Sequence, residues 1–531
     1  MIFRAPEPPV DIPDVALTPF LLEGAAHRGD NAALVDGLTG RVLTYRDWAE
    51  GVRKVATGLA ARGFRKGDVF AIYSPNVLEY AIVFHAVSLL GGINTTISPL
   101  YTVGELSAQL RDSGARYLVT VPGCVEKAEQ AARASGVTEV FVFGETGRGT
   151  PFGSLFAEGA PPAVEIDPRE DVVAIPYSSG TTGLPKGVML THYNLVANLV
   201  QSAAVFDVHD GDVMLGVLPF FHIYGMTVIM NLALHVGATV VILQRFDLEQ
   251  CLRVIQDYRV TFANVVPPIV LALGKSPLVD QYDLSCLRGL FSGAAPLKEN
   301  LASAVSARLG CHVVQGYGMT ETSPVTHSGR GGGRTRCASI GPPVPNTEAK
   351  VVDPATRAEL GPREEGEICV RGPQVMKGYL NRPADTAAMI DEDGWLHTGD
   401  IGFADERGDF FVVDRLKELI KYKGMQIAPA ELEAVLLGHA LIADAAVIPV
   451  PDEEAGEVPK AFVVLKGDLT TAEILAYVAA RVAPYKKLRS VEIIDAIPKS
   501  PSGKILRRIL AERSSIVEIN DAIPKSGPPR P

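Results

Sequence analysis

One segment of the chain points most directly to a fold and a function: Tyr177-Ser178-Ser179-Gly180-Thr181-Thr182-Gly183-Leu184-Pro185-Lys186-Gly187. It follows a mostly apolar run, 171–176, that is typical of a strand. Its glycines let main-chain N–H groups approach phosphate oxygens, its hydroxyl side chains add donors, and Lys186 adds a positive charge. We therefore expect this segment to hold phosphate groups.

Two other interpretations of the segment are less consistent with its residues. A P-loop is disfavoured because Pro185 and Gly187 stand where that motif has Gly and Ser or Thr. A flexible Gly/Ser/Thr linker is the other alternative. Linkers seldom end in Pro-Lys-Gly followed by an apolar run such as 188–190.

Length and charge restrict the classes of function. A chain of 531 residues is too long for one hydrophobic core, so at least two domains are expected. Its net charge of −11 argues against nucleic acid as a partner, because phosphate backbones select basic surfaces. The six cysteines include no C-x-x-C pair, which is typical of a reducing compartment, and no apolar leader precedes residue 20. We expect a cytoplasmic protein that acts on small molecules.

The thirty residues 214–243 carry no formal charge and are long enough to cross a bilayer. Pro219, Gly225 and Gly237 interrupt this run, however. We therefore predict a strand over 214–218, a helix over 225–235 and a strand over 239–243, and no transmembrane segment.

The order of predicted elements indicates an α/β fold. Helix and strand signals alternate over 11–110 and 194–311, which is typical of doubly wound sheets. In the first of these regions Asn76 and Glu79 resemble a capping box that opens a helix. Short strands with Gly and Pro turns over 340–413 predict a small antiparallel sheet or distorted barrel, and an α+β unit follows.

The predicted domains are 1–414, a large N-terminal domain, and 415–513, a small C-terminal domain. Residues 514–531 contain a second copy of the sequence 491–500, at 517–526. This copy lacks the Gly-Lys that follows the first, and Pro-rich sequence comes after it. We interpret 514–531 as a tail without a catalytic role.

Five motifs occur in the order found in adenylate-forming enzymes: 178–187, 315–321, 394–400, 414–426 and 501–504. Over about residues 15–513 the chain resembles the acyl-CoA synthetases of the ANL superfamily, in particular the 4-coumarate:CoA ligase branch. The resemblance implies a two-step reaction. A carboxylic acid and ATP, with Mg²⁺, give acyl-AMP and pyrophosphate, and coenzyme A then displaces AMP.

The resemblance also implies roles for individual residues. Those expected to contact ATP or coenzyme A are Ser178, Ser179, Gly180, Thr181, Thr182, Gly183, Lys186, Gly293, Ala294, Ala295, Gly316, Tyr317, Gly318, Thr320, Asp400, Arg415, Lys421 and Gly424. Those expected to contact the acid are His222, Tyr224, Gly293, Gly316, Pro324 and Val325. The Mg²⁺ ligands are expected to be Glu321 and Thr181, and the catalytic residues Lys504, His222, Lys421 and Gln426.

In the family, the C-terminal domain is mobile. The resemblance implies a hinge at Leu416-Lys417, about which the domain exchanges a face bearing Lys504 for one bearing Lys421 and Gln426. The first face serves acyl-AMP formation and the second serves thioester formation. Tyr317 is expected to stack on adenine and Asp400 to bind the ribose hydroxyls.

Structural interpretations of the same residues stay open at this point. Tyr317 and His222 also suit a protein core, Asp400 a solvated turn, and Lys504 an exposed surface. For function, the alternatives are a medium- or long-chain fatty acyl-CoA synthetase, an amino-acid adenylation domain and a catalytically silent nucleotide-binding protein. The adenylation domain is disfavoured because no Asp lies within 218–226 to pair with a substrate ammonium.

The acid itself is expected to be 4-coumarate or cinnamate, since a flat slot beside Tyr224 suits a planar ring. The Tyr224 hydroxyl, if buried, would need a partner that a para-hydroxyl on the acid supplies. Two residues depart from the plant branch, which commonly carries Lys where this chain has Phe291 and Leu where it has Thr326. A monomer and a dimer are equally consistent with the sequence.

Overall fold

The structure is a computed structural model. It describes residues 1–145, 147–178, 185–330, 338–416, 418–422, 425–452, 455–482, 484–500 and 503–522, and within these ranges it leaves out the side chains of 415, 421, 425, 426, 485 and 515–522. The chain divides into two compact units. The N-terminal unit comprises Met1–Lys350, Cys369–His397 and Asp405–Phe410, and the C-terminal unit comprises Val351–Ile368, Thr398–Ala404 and Phe411–Pro531.

The first large sheet of the N-terminal unit has eight strands. Their spatial order is Val325–Ser328, His312–Gly318, Gly289–Ser292, Phe262–Val265, Val213–Gly216, Thr239–Ile242, Ala32–Asp36 and Val42–Thr44. The six inner strands pair in parallel, and the two outermost strands are antiparallel to their neighbours. Ligands of open parallel sheets bind at the carboxyl ends of the strands.

The second large sheet contains, at one edge, the two strands that flank the phosphate segment. Its strands follow the order Tyr177–Ser178, Lys186–Thr191, Val172–Ala174, Ile93–Ile97, Val69–Tyr73, Ala115–Thr120, Glu139–Val142 and Thr150–Pro151, and Gly378–Tyr379 pairs with Lys186–Thr191. The strand predicted over 171–176 is thus present over Val172–Ala174.

Helices connect and cover these strands. They are Leu17–Ala26, Tyr45–Ala61, Leu78–Leu89, Val103–Ser113, Val125–Arg133, His192–Val205, Leu232–Val236, Leu248–Asp257, Pro267–Lys275, Glu299–Leu309 and Pro383–Met389, with a π-helix over Tyr224–Asn231 and 3-10 turns at Pro122–Cys124, Phe152–Leu155, Pro277–Gln281 and Thr320–Thr322. Leu78–Leu89 is buried along nearly its whole length, because it is apolar on every side. One continuous apolar core includes residues of this helix and of both sheets.

The uncharged run 214–243 forms the buried unit that the sequence predicts. A strand over Val213–Gly216 precedes the π-helix Tyr224–Asn231 and the α-helix Leu232–Val236, and Thr239–Ile242 returns to the first sheet. The π-helix replaces the first part of the single helix predicted over 225–235. Among the described residues, no helix is long and apolar enough to span a membrane.

The capping box predicted at Asn76 and Glu79 is wrong. The helix begins at Leu78 with Val77 at its N-cap and no side-chain cap. The Asn76 amide instead donates to the carbonyl oxygens of Gly216 (3.1 Å) and Leu218 (3.0 Å), and its oxygen accepts from the main chain at Phe220. Asn76 therefore joins the end of the second sheet to the end of the first.

Short strands occupy the region for which a small sheet or barrel was expected. They are Phe3–Arg4, Glu348–Val352, Gly366–Arg371, Leu396–Ala404 and Phe410–Arg415, with the two-residue Gly378–Tyr379 between them in sequence. Phe3–Arg4 pairs with Glu348–Val352 in antiparallel register. The division between the two units falls within four of these strands.

The C-terminal unit has its own sheet and its own core. The sheet order is Met425–Ile427, Ile420–Tyr422, Gly456–Leu465 and Ile442–Asp452, and Ser490–Ile493 runs parallel to Gly456–Leu465. Helices Pro429–Leu437 and Thr471–Ala479 and the 3-10 turn Pro484–Lys486 complete the predicted α+β pattern. A final helix, Arg507–Ala522, runs across the expected boundary at 513, and the boundaries at 414 and 513 stay predictions.

Candidate active site

The phosphate segment is closed by a short antiparallel ladder. Tyr177 pairs with Gly187, and Ser178 pairs with Lys186, so Ser178 and Lys186 lie opposite each other. The predicted contacts Ser179, Gly180, Thr181, Thr182 and Gly183 lie outside the described residues. The Tyr177 hydroxyl donates to Asp112 at 2.7 Å, which anchors the first strand of the ladder.

Lys186 lies in a small cluster of charged and aromatic side chains. Its ammonium is 3.0 Å from the carboxylate of Asp385 and 4.9 Å from the ring centroid of Tyr379. The Tyr379 hydroxyl donates a 2.7 Å hydrogen bond to Glu321, which is only 5% exposed. Lys186 and Glu321, predicted to handle phosphate and Mg²⁺, therefore share Tyr379 as a neighbour.

Burial and the Glu321 carboxylate both raise the pKa of the Tyr379 phenol, so this hydroxyl keeps its proton and acts as a donor. Glu321 itself is held on the 3-10 turn Thr320–Thr322, and its carbonyl oxygen accepts from the main chain at Met376 at 2.9 Å. A buried carboxylate with one fixed donor is a ligand type that Mg²⁺ accepts. Glu321 fits a magnesium site for that reason.

The predicted adenine segment lies on the strand His312–Gly318, beside the antiparallel strand Val325–Ser328. Gly316 cannot carry a side chain, because a Cβ there would lie 2.0 Å from the Phe291 ring. Tyr317 meets His327 edge to face at 5.9 Å, and burial lowers the pKa of His327 to about 3. A neutral imidazole thus backs the ring that is expected to stack on adenine.

The loop after Ser292 is pinned by one buried amide. Gln315 accepts from the Leu297 N–H at 2.8 Å and donates to the Leu297 carbonyl at 3.0 Å. The predicted contacts Gly293, Ala294 and Ala295 lie in this loop, between the end of the strand at Ser292 and the hydrogen-bonded Leu297. Ala294 has a φ of +68°, a left-handed conformation that non-glycine residues adopt at a cost of about 1–3 kcal/mol.

The residues predicted to contact the acid lie in or next to strands of the first sheet, and Tyr224 and Gly293 are close, since a Cβ at Gly293 would lie 3.1 Å from the Tyr224 ring. The His222 Nδ1 accepts from the Tyr224 N–H at 3.2 Å, and the Gly293 N–H donates to Val265 at 3.2 Å. Pro324 follows a cis peptide bond, and Val325 exchanges main-chain hydrogen bonds with the Asn198 amide.

The expectation that the Tyr224 hydroxyl awaits a substrate partner is wrong. This hydroxyl donates to the main-chain carbonyl of Phe291 at 3.0 Å, and the Val265 carbonyl is 3.4 Å away. Burial raises the pKa of Tyr224 well above its ordinary value, so the phenol keeps its proton. Tyr224 provides an aromatic wall whose polar end already has a protein partner.

Sequence reasoning missed Asn264, which lies on the neighbouring strand Phe262–Val265. Its side chain is fully buried, and neither its amide oxygen nor its amide nitrogen has a hydrogen-bond partner among the described residues. Asn264 is the register partner of Phe291 in the parallel pair, so the two side chains lie on the same face of the sheet. The Phe291 ring in turn packs against Tyr224 (6.3 Å) and Phe206 (4.4 Å).

The three site residues that sequence reasoning missed, Asn264, Tyr379 and Asp385, differ in how strongly the local sequence marks them as functional. Asn264 is a polar residue within the apolar run 262–266, which is a usable signal for a buried amide. Tyr379 and Asp385 carry no such local signal.

The other predicted site residues belong to the C-terminal unit. Asp400 is buried there, and its N–H donates to the Thr398 hydroxyl at 3.1 Å. The Leu416 N–H donates to the Gly399 carbonyl at 2.8 Å, which ties the expected hinge to the same turn. The side chains of Arg415, Lys421 and Gln426, and all of Gly424, lie outside the described residues.

Lys504 lies at the end of a tight turn. The Ser500 N–H donates to the Lys504 carbonyl at 2.8 Å, and the Lys504 N–H donates to the Ser500 hydroxyl at 3.1 Å. Three residues later, the Arg507 guanidinium forms ion pairs with Glu418 (2.8 Å) and Glu433 (2.6 Å). The start of the final helix is therefore held to Glu418, which follows the expected hinge, and to the helix Pro429–Leu437.

The main chains of Lys421 and Gln426 lie opposite each other in the C-terminal unit. These residues are register partners in the antiparallel pair Ile420–Tyr422 and Met425–Ile427.

Comparison with known proteins matches residues 21–380 to the family model described as AMP-binding enzyme, and 431–504 to the AMP-binding enzyme C-terminal domain. The 4-coumarate--CoA ligase of Pinus taeda is 45% identical, over 96% of this chain and 97% of the relative. The 4-coumarate--CoA ligase 5 of Oryza sativa subsp. japonica is 46% identical, over 96% of both chains.

Comparison with solved structures also matches the chain over nearly its whole length. ATP-bound MatB from Rhodopseudomonas palustris superposes with a TM-score of 0.87 at 29% identity, over 95% of this chain and all of that chain. The anthranilate CoA ligase AuaEII with anthranoyl-AMP gives a TM-score of 0.87 at 25% identity, over 96% and 99% of the two chains.

Proposed function

Since the chain belongs to the family of AMP-binding enzymes, we propose that it is an ATP-dependent carboxylate–CoA ligase that forms acyl-AMP and then acyl-CoA. The relatives named 4-coumarate--CoA ligase align over nearly the whole chain, so both the large and the C-terminal regions are accounted for. The observation that carries the proposal is the cluster of Lys186, Tyr379 and Glu321 beside the phosphate segment.

In the first step a carboxylate oxygen of the acid attacks the α-phosphorus of ATP, and the bond to pyrophosphate breaks. Such transfers depend mainly on positioned charges that stabilise the developing negative charge. Lys186 supplies a cation at the base of the phosphate segment. Glu321 is the residue that would hold Mg²⁺, which would supply further positive charge to the phosphates.

In the second step the thiolate of coenzyme A attacks the acyl carbonyl, and AMP leaves. We assign Lys504 to the first step and Lys421 and Gln426 to the second. The turn that carries Lys504 and the strand pair that carries Lys421 and Gln426 are separate elements of the C-terminal unit, which supports a division of labour between two faces.

Two half-reaction assays test this division. Lys504→Ala is expected to lower pyrophosphate release by about 10²- to 10³-fold, because it removes a positioned charge. Thioester formation from supplied acyl-AMP is expected to keep its rate. Lys499→Ala, five residues away and paired with Asp444, is the matched control. An equal loss in both half-reactions would contradict the two-face assignment.

For the acid, we propose 4-coumarate and related aryl-propenoic acids. Tyr224 offers an aromatic wall, and Gly316 leaves room for the Phe291 ring. Among the residues that the structure describes, the Asn264 amide has no partner, which supports an acid with a hydrogen-bonding ring substituent, since a buried amide without a partner costs about 1–3 kcal/mol. A saturated alkyl chain offers no such partner and gains only about 0.8 kcal/mol for each buried methylene.

Thioester assays with 4-coumarate, cinnamate and a saturated long-chain acid decide the acid. We expect kcat/KM to fall in that order. A preference for the alkyl chain would favour the fatty acyl-CoA synthetase and leave the ligase mechanism intact. Absence of pyrophosphate release with every acid would overturn the ligase proposal in favour of a silent nucleotide-binding protein.

A further inference from the structure

We infer that Tyr379 is a positioning residue for acyl-AMP formation, which holds the Glu321 carboxylate and the Lys186 ammonium in a fixed relation. The inference rests on the proposed function, because it gives Glu321 the Mg²⁺ and Lys186 the phosphates.

The contact with Glu321 fixes one rotamer of the carboxylate. The hydroxyl of Tyr379 is 2.7 Å from Glu321 Oε1, and both residues are at least 94% buried. A neutral phenol can only donate to a carboxylate, so the hydrogen bond has one direction. Groups that orient a metal ligand in this way change metal affinity by about 10- to 100-fold when they are removed.

The contact with Lys186 uses the other part of the same side chain. The ammonium lies 4.9 Å from the centroid of the Tyr379 ring, within the range of cation–π attraction. Its second neighbour is Asp385, which follows Tyr379 by six residues and lies in the first turn of the helix Pro383–Met389. The ring and the carboxylate together restrict the path of the lysine side chain.

The main chain around Tyr379 is fixed independently of both contacts. Tyr379 is the register partner of Val188, two residues after Lys186, and the Leu380 N–H donates to Gly187 at 2.8 Å. The Tyr379 N–H donates to the Thr386 hydroxyl at 2.9 Å. Gly378 has a φ of +150°, and a Cβ there would lie 2.9 Å from the Thr386 side chain, so the approach requires glycine.

Because the strand is fixed, Tyr379→Phe is a clean test. It removes the donor to Glu321 and keeps the ring beneath Lys186. We expect the Mg²⁺ concentration for half-maximal pyrophosphate release to rise about 10-fold or more. ATP binding measured by calorimetry without Mg²⁺ should not change, and thioester formation from supplied acyl-AMP should keep its rate.

The matched control is Tyr117→Phe. The Tyr117 hydroxyl is also held by one protein partner, the Arg62 carbonyl at 2.9 Å, and its ring lies in the core of the second sheet. This variant should lose a similar amount of thermal stability as Tyr379→Phe. Its Mg²⁺ dependence should match that of the unchanged protein.

A double-mutant cycle separates positioning from general destabilisation. In a Glu321→Gln background the phenol has no carboxylate to orient, so Tyr379→Phe should no longer shift calorimetric binding of Mg²⁺ and ATP. An additive shift, or an unchanged Mg²⁺ curve for Tyr379→Phe alone, would overturn the inference. Failure of the proposed function is a different result: binding of Mg²⁺ and ATP without pyrophosphate release from any acid.

Discussion

The phosphate corner and the acid corner of the N-terminal unit treat buried polar groups in opposite ways. In the phosphate corner, defined by Lys186, Glu321, Tyr379 and Asp385, each side chain contacts another member of the set. In the acid corner, defined by Tyr224, Phe291 and Asn264, the amide of Asn264 has no partner among the described residues.

This difference between the two corners follows from their ligands, because ATP is common to all ligases of this kind and the acid differs between them. ATP is the same in every turnover, so its binding groups can be held in advance by the protein, which lowers the reorganisation needed in the transition state. The acid is the part that distinguishes one ligase from another. A buried polar group that only the right acid satisfies gives discrimination, because a wrong acid leaves the group unpaired.

The largest expected effect tests the phosphate corner. Lys186→Met and Glu321→Gln should each lower pyrophosphate release by about 10²- to 10³-fold, since each removes a positioned charge. The loss should be equal for 4-coumarate and cinnamate. Lys377→Met is the control, because the Lys377 ammonium is partly exposed and pairs with Glu170 instead. A change in acid preference would mean that the two corners are not independent.

An intermediate effect is expected in the acid corner. Asn264→Leu should lower kcat/KM for 4-coumarate about 10-fold relative to cinnamate, because the variant no longer offers a hydrogen bond to a ring substituent. Competition assays with the two acids in one reaction measure this ratio directly.

The control for that variant is Ser88→Ala, which removes a buried hydroxyl on the core helix Leu78–Leu89 that, within the described part of the chain, likewise has no partner. It should leave the ratio of the two acids unchanged. If Asn264→Leu also left it unchanged, the amide would serve packing or an ordered water and not the acid.

The smallest expected effect sharpens the account of Lys186. Asp385→Asn removes a carboxylate that competes with phosphate for the ammonium, so ATP should bind about two- to five-fold more tightly. The estimate is small because the two side chains are 29% and 39% exposed, and exposed ion pairs contribute about 1 kcal/mol at most. The gain should shrink in high salt, and weaker ATP binding would show that the restriction of the lysine side chain by Asp385 outweighs this competition.

Elements with a clear hydrophobic period could be predicted from the sequence. The strands predicted over 214–218 and 239–243 are present at Val213–Gly216 and Thr239–Ile242, and the strand predicted over 171–176 is present at Val172–Ala174. These segments carry their own signal, because apolar residues recur with the period of the element they form.

Contacts between distant segments could not be predicted in the same way. Tyr379 and Glu321 are 58 residues apart in the chain, and neither position has a local pattern that requires the other. Asn76 is an example in which the local pattern is misleading. Its local sequence fits a helix cap, but its amide hydrogen-bonds to carbonyl groups more than 100 residues away in the chain.

The residues predicted to contact the acid could be predicted in part: their proximity could, but the hydrogen-bond partner of the Tyr224 hydroxyl could not. The motifs place Tyr224 and Gly293 near one another, which the structure also does, since a Cβ at Gly293 would lie 3.1 Å from the Tyr224 ring. What the tyrosine hydroxyl contacts depends on the strand beside it. That strand ends at Ser292, and its Phe291 carbonyl is the acceptor.

The π-helix Tyr224–Asn231 makes the acid corner sensitive to chain length as well as to side-chain identity. A π-helix holds more residues per turn than an α-helix, so deleting one residue from 225–231 would let the segment relax to α-helical geometry. Eight π-helical residues and seven α-helical residues turn through nearly the same angle, so Tyr224 and Leu232 at the two ends would keep their directions while the side chains between them changed direction. Such a deletion would therefore change which side chains line the acid corner although neither Tyr224 nor Phe291 had been exchanged. An alignment scored only for substitutions would record the change as a gap.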